Sequence, residues 1–331
     1  MAFLNNLRLS VKLPLMLVAL ALLALSVTGV LAYREARNLL EEEAAQRRET
    51  TLEQRQMELG DWSAQLLGDL RALAASQATG RTLRDFLGAW KRLGDTPVAY
   101  LREAYVTKNP NPPGERYKLD FPGDVNDYGV LHRRYHPGFV TLLEEKGLYD
   151  LFLVDAQGNI LYSVRKEANF AAGANAGELK ESPLGRVIGA ALTGQGAEPV
   201  VSAFATIGEG GQLQRGFYMA SPVRSAEGTL LGVLAFAVPL ARLDAIVLSS
   251  RSLGATGRAY LVDADGGLQS PLKDLPGAEM GRKVDNPGAD AARLAEAGRR
   301  SYPGFDGREV ESVFSGVTLF GRSYGLVIEQ T

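Results

Sequence analysis

A run of uncharged residues near the N-terminus constrains the fold of this chain most strongly. No charged residue occurs from Leu13 to Tyr33, and Leu, Ala and Val dominate the segment. A helix needs about 20 apolar residues to cross the hydrocarbon core of a bilayer. Pro14 lies in the first turn, where its missing N–H costs least. The run therefore predicts a transmembrane helix over 13–33.

The charges on either side of this run indicate its orientation. Arg8 and Lys12 precede it with no acid nearby, which favours an N-terminus inside the cell, and long translocated domains are largely exempt from this rule. The alternative is a cleaved signal peptide with Val30–Ala32 as its cleavage site, although the run exceeds the usual apolar region of about 7–15 residues. We expect a single-pass anchor in the cytoplasmic membrane, with the remainder periplasmic or extracellular.

Composition argues against several kinds of chemistry. The chain has no cysteine, which excludes thiol nucleophiles, disulfides, iron–sulfur clusters and covalent c-type haem. Its two histidines, His132 and His136, leave little material for a histidine-based catalytic centre. The formal net charge of −2 differs from the basic excess typical of nucleic-acid-binding proteins. We expect no nucleic-acid partner and no cofactor.

The segment after the apolar run has the periodicity of helices. One stripe recurs at seven-residue intervals and consists of Leu52, Leu59, Leu66 and Leu73. It predicts a long helix over 34–78. Further helices are predicted over about 81–106 and 125–146, on either side of a loop rich in Pro and Gly. The stripe fits both a helix packed on its own domain and the seam of a homodimer.

An internal repeat begins where strand periodicity starts. Phe152–Gly158 (FLVDAQG) matches Tyr260–Gly266 (YLVDADG) at an offset of 108 residues. Each copy predicts an apolar strand followed by an Asp-x-x-Gly turn, in which Gly supplies the positive φ. A hairpin also recurs, around Glu227-Gly228 and again around Phe320-Gly321. The same order of elements twice predicts two related modules.

Antiparallel strands with helices segregated to one side predict an α+β fold. The predicted organisation has five parts, of which the last two are PAS-like antiparallel-sheet modules. They are a cytoplasmic N-terminus (1–12), a transmembrane helix (13–33), a long helical region (34–106), a membrane-distal module (107–247) and a membrane-proximal module (248–331).

The two histidines form an i, i+4 pair on one predicted helix face. Arg133 stands where H-E-x-x-H metal sites carry glutamate, and adjacent cationic charge disfavours a divalent metal ion. We therefore predict no metal site. The surrounding arginines and tyrosines fit either an anionic ligand or a structural cluster of stacked rings.

Gly321–Gly325 (GRSYG) matches the G-x-S-x-G nucleophile elbow, with Ser323 as its serine. That motif needs a strand–turn–helix context and usually a later histidine. Here the motif falls in a predicted hairpin turn, and both histidines precede it. An extracytoplasmic serine hydrolase using Ser323 stays open as an alternative, but we predict no catalytic residues.

Several segments together resemble the extracytoplasmic double-Cache sensor region of bacterial methyl-accepting chemotaxis proteins. The resemblance covers essentially the whole chain. The segments that carry it are Asn6–Pro14, Tyr135–Phe139, Leu148–Asp155, Ser182–Arg186, Gly228–Phe236 and Leu253–Val262.

This resemblance implies two stacked PAS-like modules held by a long N-terminal helix, usually in a homodimer. It implies a small-molecule pocket most often in the distal module and a shift relayed to a second membrane helix. The side chains we expect near that pocket are Tyr135, His136, Tyr162, Arg215, Tyr218 and Arg224. The ligand is a small molecule of unknown identity.

Two departures from the family limit what the resemblance implies. Amino-acid-binding members carry an Arg-x-Trp-Tyr cluster that residues 164–200 lack, so amino-acid specificity is not supported. No second membrane span or signalling hairpin precedes Thr331, so we expect this sequence to be the sensing half of a longer receptor. A histidine kinase or nucleotide cyclase sensor, or an adhesion module without a ligand, is the alternative.

Overall fold

The computed structural model describes residues 9–123, 125–194, 196, 198–249, 253, 256–272 and 280–331. Three predicted parts of the chain lie partly outside these residues. They are the N-terminal segment (residues 1–8), the distal module (residues 124, 195 and 197) and the proximal module (residues 250–252, 254–255 and 273–279).

The first element, α1 (Leu9–Ala75), is a continuous helix of 67 residues. Within the described residues it is the one helix long and apolar enough to cross a membrane, and its most apolar stretch is unburied. A signal sequence near an N-terminus would meet the same criterion.

The predicted long helix over 34–78 is confirmed, but it ends at Ala75. Ser76 takes an extended conformation (φ −71°, ψ 139°), and its hydroxyl accepts a hydrogen bond from the Thr79 N–H (3.1 Å). This is an N-cap that starts a new helix, α2 (Gln77–Arg92).

The leucine stripe of α1 packs against the chain's own core. Leu52, Leu59 and Leu66 are at most 6% exposed, whereas Met57 on another side of the helix is 62% exposed. The stripe therefore packs the helix on its own domain, as the first of the two predicted arrangements requires. The homodimer stays a prediction.

The predicted helix over 81–106 is interrupted. The chain leaves α2 through Gly94 (φ 82°), and Pro97 then begins α3 (Pro97–Arg102), which runs into a π-helical turn at Glu103–Thr107. Proline is favoured in the first turn of a helix and disfavoured in its interior, so it marks the restart.

The third predicted helix is α4 (Asp127–Lys146), reached through a short 3₁₀ turn at Arg116–Lys118. Asn126 caps its start by accepting from the Gly129 N–H (2.8 Å). Gly147 ends it in the left-handed conformation (φ 63°).

Two compact units are formed by the chain. Unit 1 contains residues up to Gln56 together with Ser249–Gly316 and Tyr324–Thr331. Unit 2 contains Met57–Leu248 and Val317–Ser323.

Unit 2 is built on an antiparallel sheet with the strand order β2-β1-β6-β5-β3, and β4 also pairs with β5. Its strands are β1 (Asp150–Asp155), β2 (Ile160–Ser163), β3 (Val200–Val201), β4 (Ala205–Ile207), β5 (Gln214–Arg224) and β6 (Leu230–Pro239). Its remaining helices are α5 (Gly177–Glu181), α6 (Pro183–Thr193), a 3₁₀ turn (Gly210–Gln212) and α7 (Ala241–Val247).

Helices cover both faces of this sheet, which corrects the prediction that they lie on one side. Phe152 of β1 belongs to a core cluster with Leu184 and Ile188 of α6. Tyr162 of β2 points to the opposite face, where its ring centroid lies 5.2 Å from that of Phe86 in α2. The predicted α+β class is unaffected, since the sheet is antiparallel.

The second antiparallel sheet has the strand order β7-β10-β9-β8 and belongs to unit 1, except for Val317–Ser323 at the β9–β10 turn, which belong to unit 2. Its elements are β7 (Gly257–Asp263), α8 (Pro287–Arg293), β8 (Gly298–Pro303), β9 (Glu309–Leu319) and β10 (Arg322–Gln330). The buried carboxyl of Glu329 accepts from the hydroxyls of Tyr260 (2.5 Å) and Tyr302 (2.9 Å), and burial raises its pKa.

The repeated Asp-x-x-Gly motif forms the same turn in both units. The Gly158 N–H donates to the Asp155 carbonyl (3.1 Å), and the Gly266 N–H donates to the Asp263 carbonyl (3.0 Å). Both glycines have positive φ, 92° and 85°. The predicted repeat is confirmed at this turn, although the strand predicted after Gly266 is reduced to isolated bridges.

Replacing Leu59 with alanine should destabilise the protein by about 2–5 kcal/mol, because it leaves a cavity at a fully buried site. The exposed Met57→Ala on the same helix should change the free energy of unfolding by less than about 0.5 kcal/mol. Denaturant titration of the full chain in detergent measures both. Equal losses in the two variants would contradict the packing of the stripe.

Candidate functional site

Two of the six predicted ligand-binding residues are in direct contact. His136 of α4 and Tyr162 of β2 are fully buried, and the His136 Nδ1 lies 2.5 Å from the Tyr162 hydroxyl. The His136 Nε2 lies 2.6 Å from the carbonyl oxygen of Tyr117. Because a carbonyl can only accept, Nε2 carries the proton, and the Tyr162 hydroxyl donates to Nδ1.

His132 stacks on His136 one helical turn away, with ring centroids 4.3 Å apart. Its Nδ1 donates to the carbonyl of Asp120 (2.7 Å), so its Nε2 is a buried acceptor, and in the described structure that atom has no hydrogen-bond partner. Burial, reinforced by the positive charge of Lys166, lowers the pKa of both imidazoles, to about 3 for His136. Both rings are therefore neutral at physiological pH.

Three other predicted residues have partners away from this pair. The Tyr135 hydroxyl donates to Asp85 (2.7 Å), and the Arg215 guanidinium pairs with Asp244 (2.9 Å). Arg224, at the end of β5, donates to backbone carbonyls. The six residues thus do not form one cluster.

The sixth predicted residue, Tyr218, lies in a row of side chains across the α6-covered face of the sheet. Asp150 of β1 is in register with Ala237 of β6, and Ala237 is in register with Tyr218 of β5. Paired residues share a face, so the carboxyl and the phenol stand on either side of a small alanine.

Asp150 is the chemically distinctive member of this row. Its Oδ1 accepts from three backbone N–H groups, those of Leu151 (2.7 Å), Val164 (2.8 Å) and Arg165 (3.1 Å). Its Oδ2 is buried and has no hydrogen-bond partner in the described structure. Burial and the nearby charge of Glu167 raise the pKa of this carboxyl.

Three charged residues after β2 complete the environment of Asp150. The Tyr149 hydroxyl donates to the buried carboxyl of Glu167, whose pKa burial raises. The Lys166 ammonium donates to the carbonyl of Ser163 and lies 4.3 Å from the centre of the Tyr162 ring. Burial lowers the pKa of Lys166. Arg165 donates to the Tyr149 carbonyl (2.9 Å).

Sequence reasoning missed Asp150, Lys166 and Glu167. A signal existed for Asp150, since it is a charged residue at the head of an apolar strand that the sequence predicts to be buried. Lys166 has a left-handed backbone (φ 57°) that turns its side chain inward, and lysine carries no sequence signal for that conformation.

Ser323 does not occupy a nucleophile elbow. Phe320 (φ 53°) and Gly321 (φ 76°) form a two-residue turn between β9 and β10, and Ser323 is the second residue of β10. The motif therefore has a strand–turn–strand context. In the part of the chain that the structure describes, His, Asp and Glu side chains do not gather in threes as a metal site requires.

Comparison with solved structures identifies the fold. A domain of a protein assigned to the sensory box/GGDEF family of Vibrio parahaemolyticus aligns with a TM-score of 0.52 at 13% identity, covering 88% of this chain and 97% of that chain. The extracellular domain of a protein assigned as a histidine kinase, vpHK1S-Z8, aligns with a TM-score of 0.52 at 12% identity, covering 87% and 91%.

The periplasmic sensory domain of the Campylobacter jejuni chemoreceptor Tlp1 aligns with a lower TM-score of 0.46 at 13% identity, covering 86% and 96%. No protein-family model and no curated protein matches the chain. The two alignments with the higher TM-scores confirm the predicted α+β fold, which this chain shares with those two domains.

Replacing His136 with glutamine should reduce the acid sensitivity of folding. A buried imidazole with a lowered pKa stabilises the fold above its unfolded pKa of about 6.5, and this contribution is lost as the pH falls toward about 3. Each unit by which the pH falls within that window lowers the free energy of unfolding by about 1.4 kcal/mol. Glutamine can keep both hydrogen bonds without titrating.

We expect the wild type to lose about 2 kcal/mol more than His136→Gln between about pH 7 and about pH 5. Denaturant unfolding of the full chain at both pH values measures this difference. His132 is present in both proteins, so the comparison isolates His136. Parallel losses would show that His136 does not remain neutral in the fold.

Proposed function

We propose that this chain is the membrane-anchored, extracytoplasmic small-molecule sensing region of a chemoreceptor, with no catalysis of its own. The sequence resemblance, the apolar part of α1 and the sensory-domain fold support this proposal. In this proposal residues 107–247 form the membrane-distal module, residues 248–331 form the proximal module, and the chain acts as a homodimer.

The unpaired Oδ2 of Asp150 is the observation that carries the sensing role. A buried acceptor without a donor costs about 1–3 kcal/mol, and a ligand N–H or O–H would remove that cost. The atom belongs to a sheet face whose neighbouring side chain, Ala237, is small. We therefore place the ligand beside Asp150, Tyr218 and Tyr149, under α6.

The charges around Asp150 indicate what kind of ligand fits. Two acidic side chains, Asp150 and Glu167, are balanced by two basic ones, Arg165 and Lys166. A balanced site does not favour a ligand with a large net charge. The ligand we propose is a neutral or zwitterionic small molecule that presents an amine or hydroxyl donor to Asp150.

Ligand binding can be relayed only if two arrangements of the protein bind the ligand with different affinity. Asp150 heads β1 and holds the backbone of Val164 and Arg165, which follow β2. These contacts use Oδ1, so a donor that engages Oδ2 would pull on the same carboxyl group that holds this backbone. The segment after β2 is therefore the element that we propose shifts on binding.

The sensor region of a histidine kinase or a nucleotide cyclase is the alternative. The fold likeness to the extracellular domain of a histidine kinase and to a domain of a sensory box/GGDEF protein favours it as much as the chemoreceptor. The coding sequence after Thr331 discriminates between them. A glutamate- and alanine-rich helical hairpin would support the chemoreceptor, and a phospho-acceptor or cyclase domain would contradict it.

A thermal-shift screen of the full chain in detergent tests the site. We expect at least one compound in a panel of small amines, zwitterions and polyols to raise the Tm of the wild type through binding to the native state. Asp150→Asn keeps an oxygen for the three backbone N–H groups but places an amide where the free acceptor stood. This substitution should lower the affinity for that compound at least about tenfold.

Asp69→Asn is the matched control, because Asp69 lies in the same unit and pairs with Lys146 at the surface. It should leave the shift unchanged. A shift retained in Asp150→Asn would contradict this location, and a wild type that responds to no compound would contradict the sensing role.

A further inference from the structure

A cavity in unit 2 lies where the α1–α2 corner meets the β5–β6 hairpin. Its volume is about 360 Å³, near the lower end of the range for small-molecule sites. The residues that line it are Ala75, Ser76, Gln77, Gly80, Arg81, Arg84, Arg224, Ser225, Ala226 and Glu227. None of these residues belongs to the Asp150 site.

The lining of this cavity is strongly basic. Three arginines, Arg81, Arg84 and Arg224, face one carboxylate, that of Glu227. Glu227 is exposed, and its pKa is lowered chiefly by the Ser225 hydroxyl and further by the charge of Arg84. Within the described residues, Arg81 and Arg84 form no salt bridge. The cavity therefore keeps an excess of two positive charges.

Arg224 is held in place by the backbone. Its Nη1 donates to the carbonyl of Gly228 (3.2 Å), and its Nη2 donates to that of Gly194 (3.1 Å). A guanidinium has five N–H donors, so two anchoring bonds leave others for a ligand. Such anchoring lowers the entropy lost when a ligand binds.

The start of α2 adds to the positive potential. This helix has 16 residues, and its first residues, Gln77 and Gly80, line the cavity. The N-terminus of a helix carries a partial positive charge that favours anions. It acts here together with Arg81 and Arg84 of the same helix.

We propose that this cavity binds a small oxyanion with two or more negative charges, such as a phosphorylated or polycarboxylate solute, independently of the Asp150 site. Guanidinium groups bind phosphate and carboxylate oxygens through paired hydrogen bonds, and three arginines line this cavity. The excess of two positive charges matches a dianion or trianion better than a monoanion. Ser225 and Gln77 supply further donors.

Calorimetric titration of the full chain in detergent with pyrophosphate, citrate and acetate tests this proposal. We expect pyrophosphate or citrate to bind with one site per chain and acetate to bind at least about tenfold more weakly. Arg81→Gln combined with Arg84→Gln should weaken binding at least about tenfold, as the loss of charged hydrogen bonds requires. Both side chains are exposed, so the variant should fold.

Arg242→Gln is the matched control, since Arg242 is an exposed arginine of the same unit outside the cavity. It should bind the anion as the wild type does. Arg224→Lys should weaken binding while keeping the charge, because lysine lacks the planar fork. No heat of binding with millimolar pyrophosphate or citrate, or equal affinity in the wild type and the double variant, would overturn the proposal.

Discussion

The antiparallel pairing of β1 with β6 is the constraint on which unit 2 depends. It sets Asp150 opposite Ala237 and Phe152 opposite Ala235. The Asp150 carboxyl and the apolar core residue Phe152 therefore lie next to each other on the same face of the sheet. If the register of β1 slipped by one residue, Asp150 and Phe152 would both turn to the opposite face of the sheet, which helices α2 and α4 cover. The turn at Asp155–Gly158 helps to prevent such a slip, because it fixes where β1 ends.

Buried charge is the second theme of unit 2. Ionised groups inside a protein are costly unless hydrogen bonds and opposite charges compensate them. Backbone groups provide much of this compensation. N–H groups donate to one oxygen of Asp150, and the carbonyl of Ser163 accepts from the Lys166 ammonium. Compensation is incomplete at one oxygen of Asp150, and the proposed ligand position rests on that oxygen.

Local sequence patterns predicted more of the fold than of the site. The leucine stripe follows from periodicity, and the repeated turn follows from a motif with a physical reason. His136 and Tyr162 were each predicted near the pocket, but their contact is known only from the structure. Gly94 and Pro97 are residues that commonly interrupt helices, but the apolar periodicity on either side of them favoured one helix over 81–106. The row formed by Asp150, Ala237 and Tyr218 depends on pairing between strands distant in sequence, and no local pattern encodes that register.

The repeated turn has different surroundings in the two units. A methyl group on Gly158 would lie 2.3 Å from the side-chain nitrogen of Asn175, whereas one on Gly266 would meet nothing closer than 3.7 Å. Asparagine tolerates the left-handed conformation that both positions share. At Gly266 it would have room, whereas at Gly158 it would have to push the Asn175 amide away from the Gln157 carbonyl to which that amide donates. The same turn therefore demands glycine more strictly in unit 2 than in unit 1.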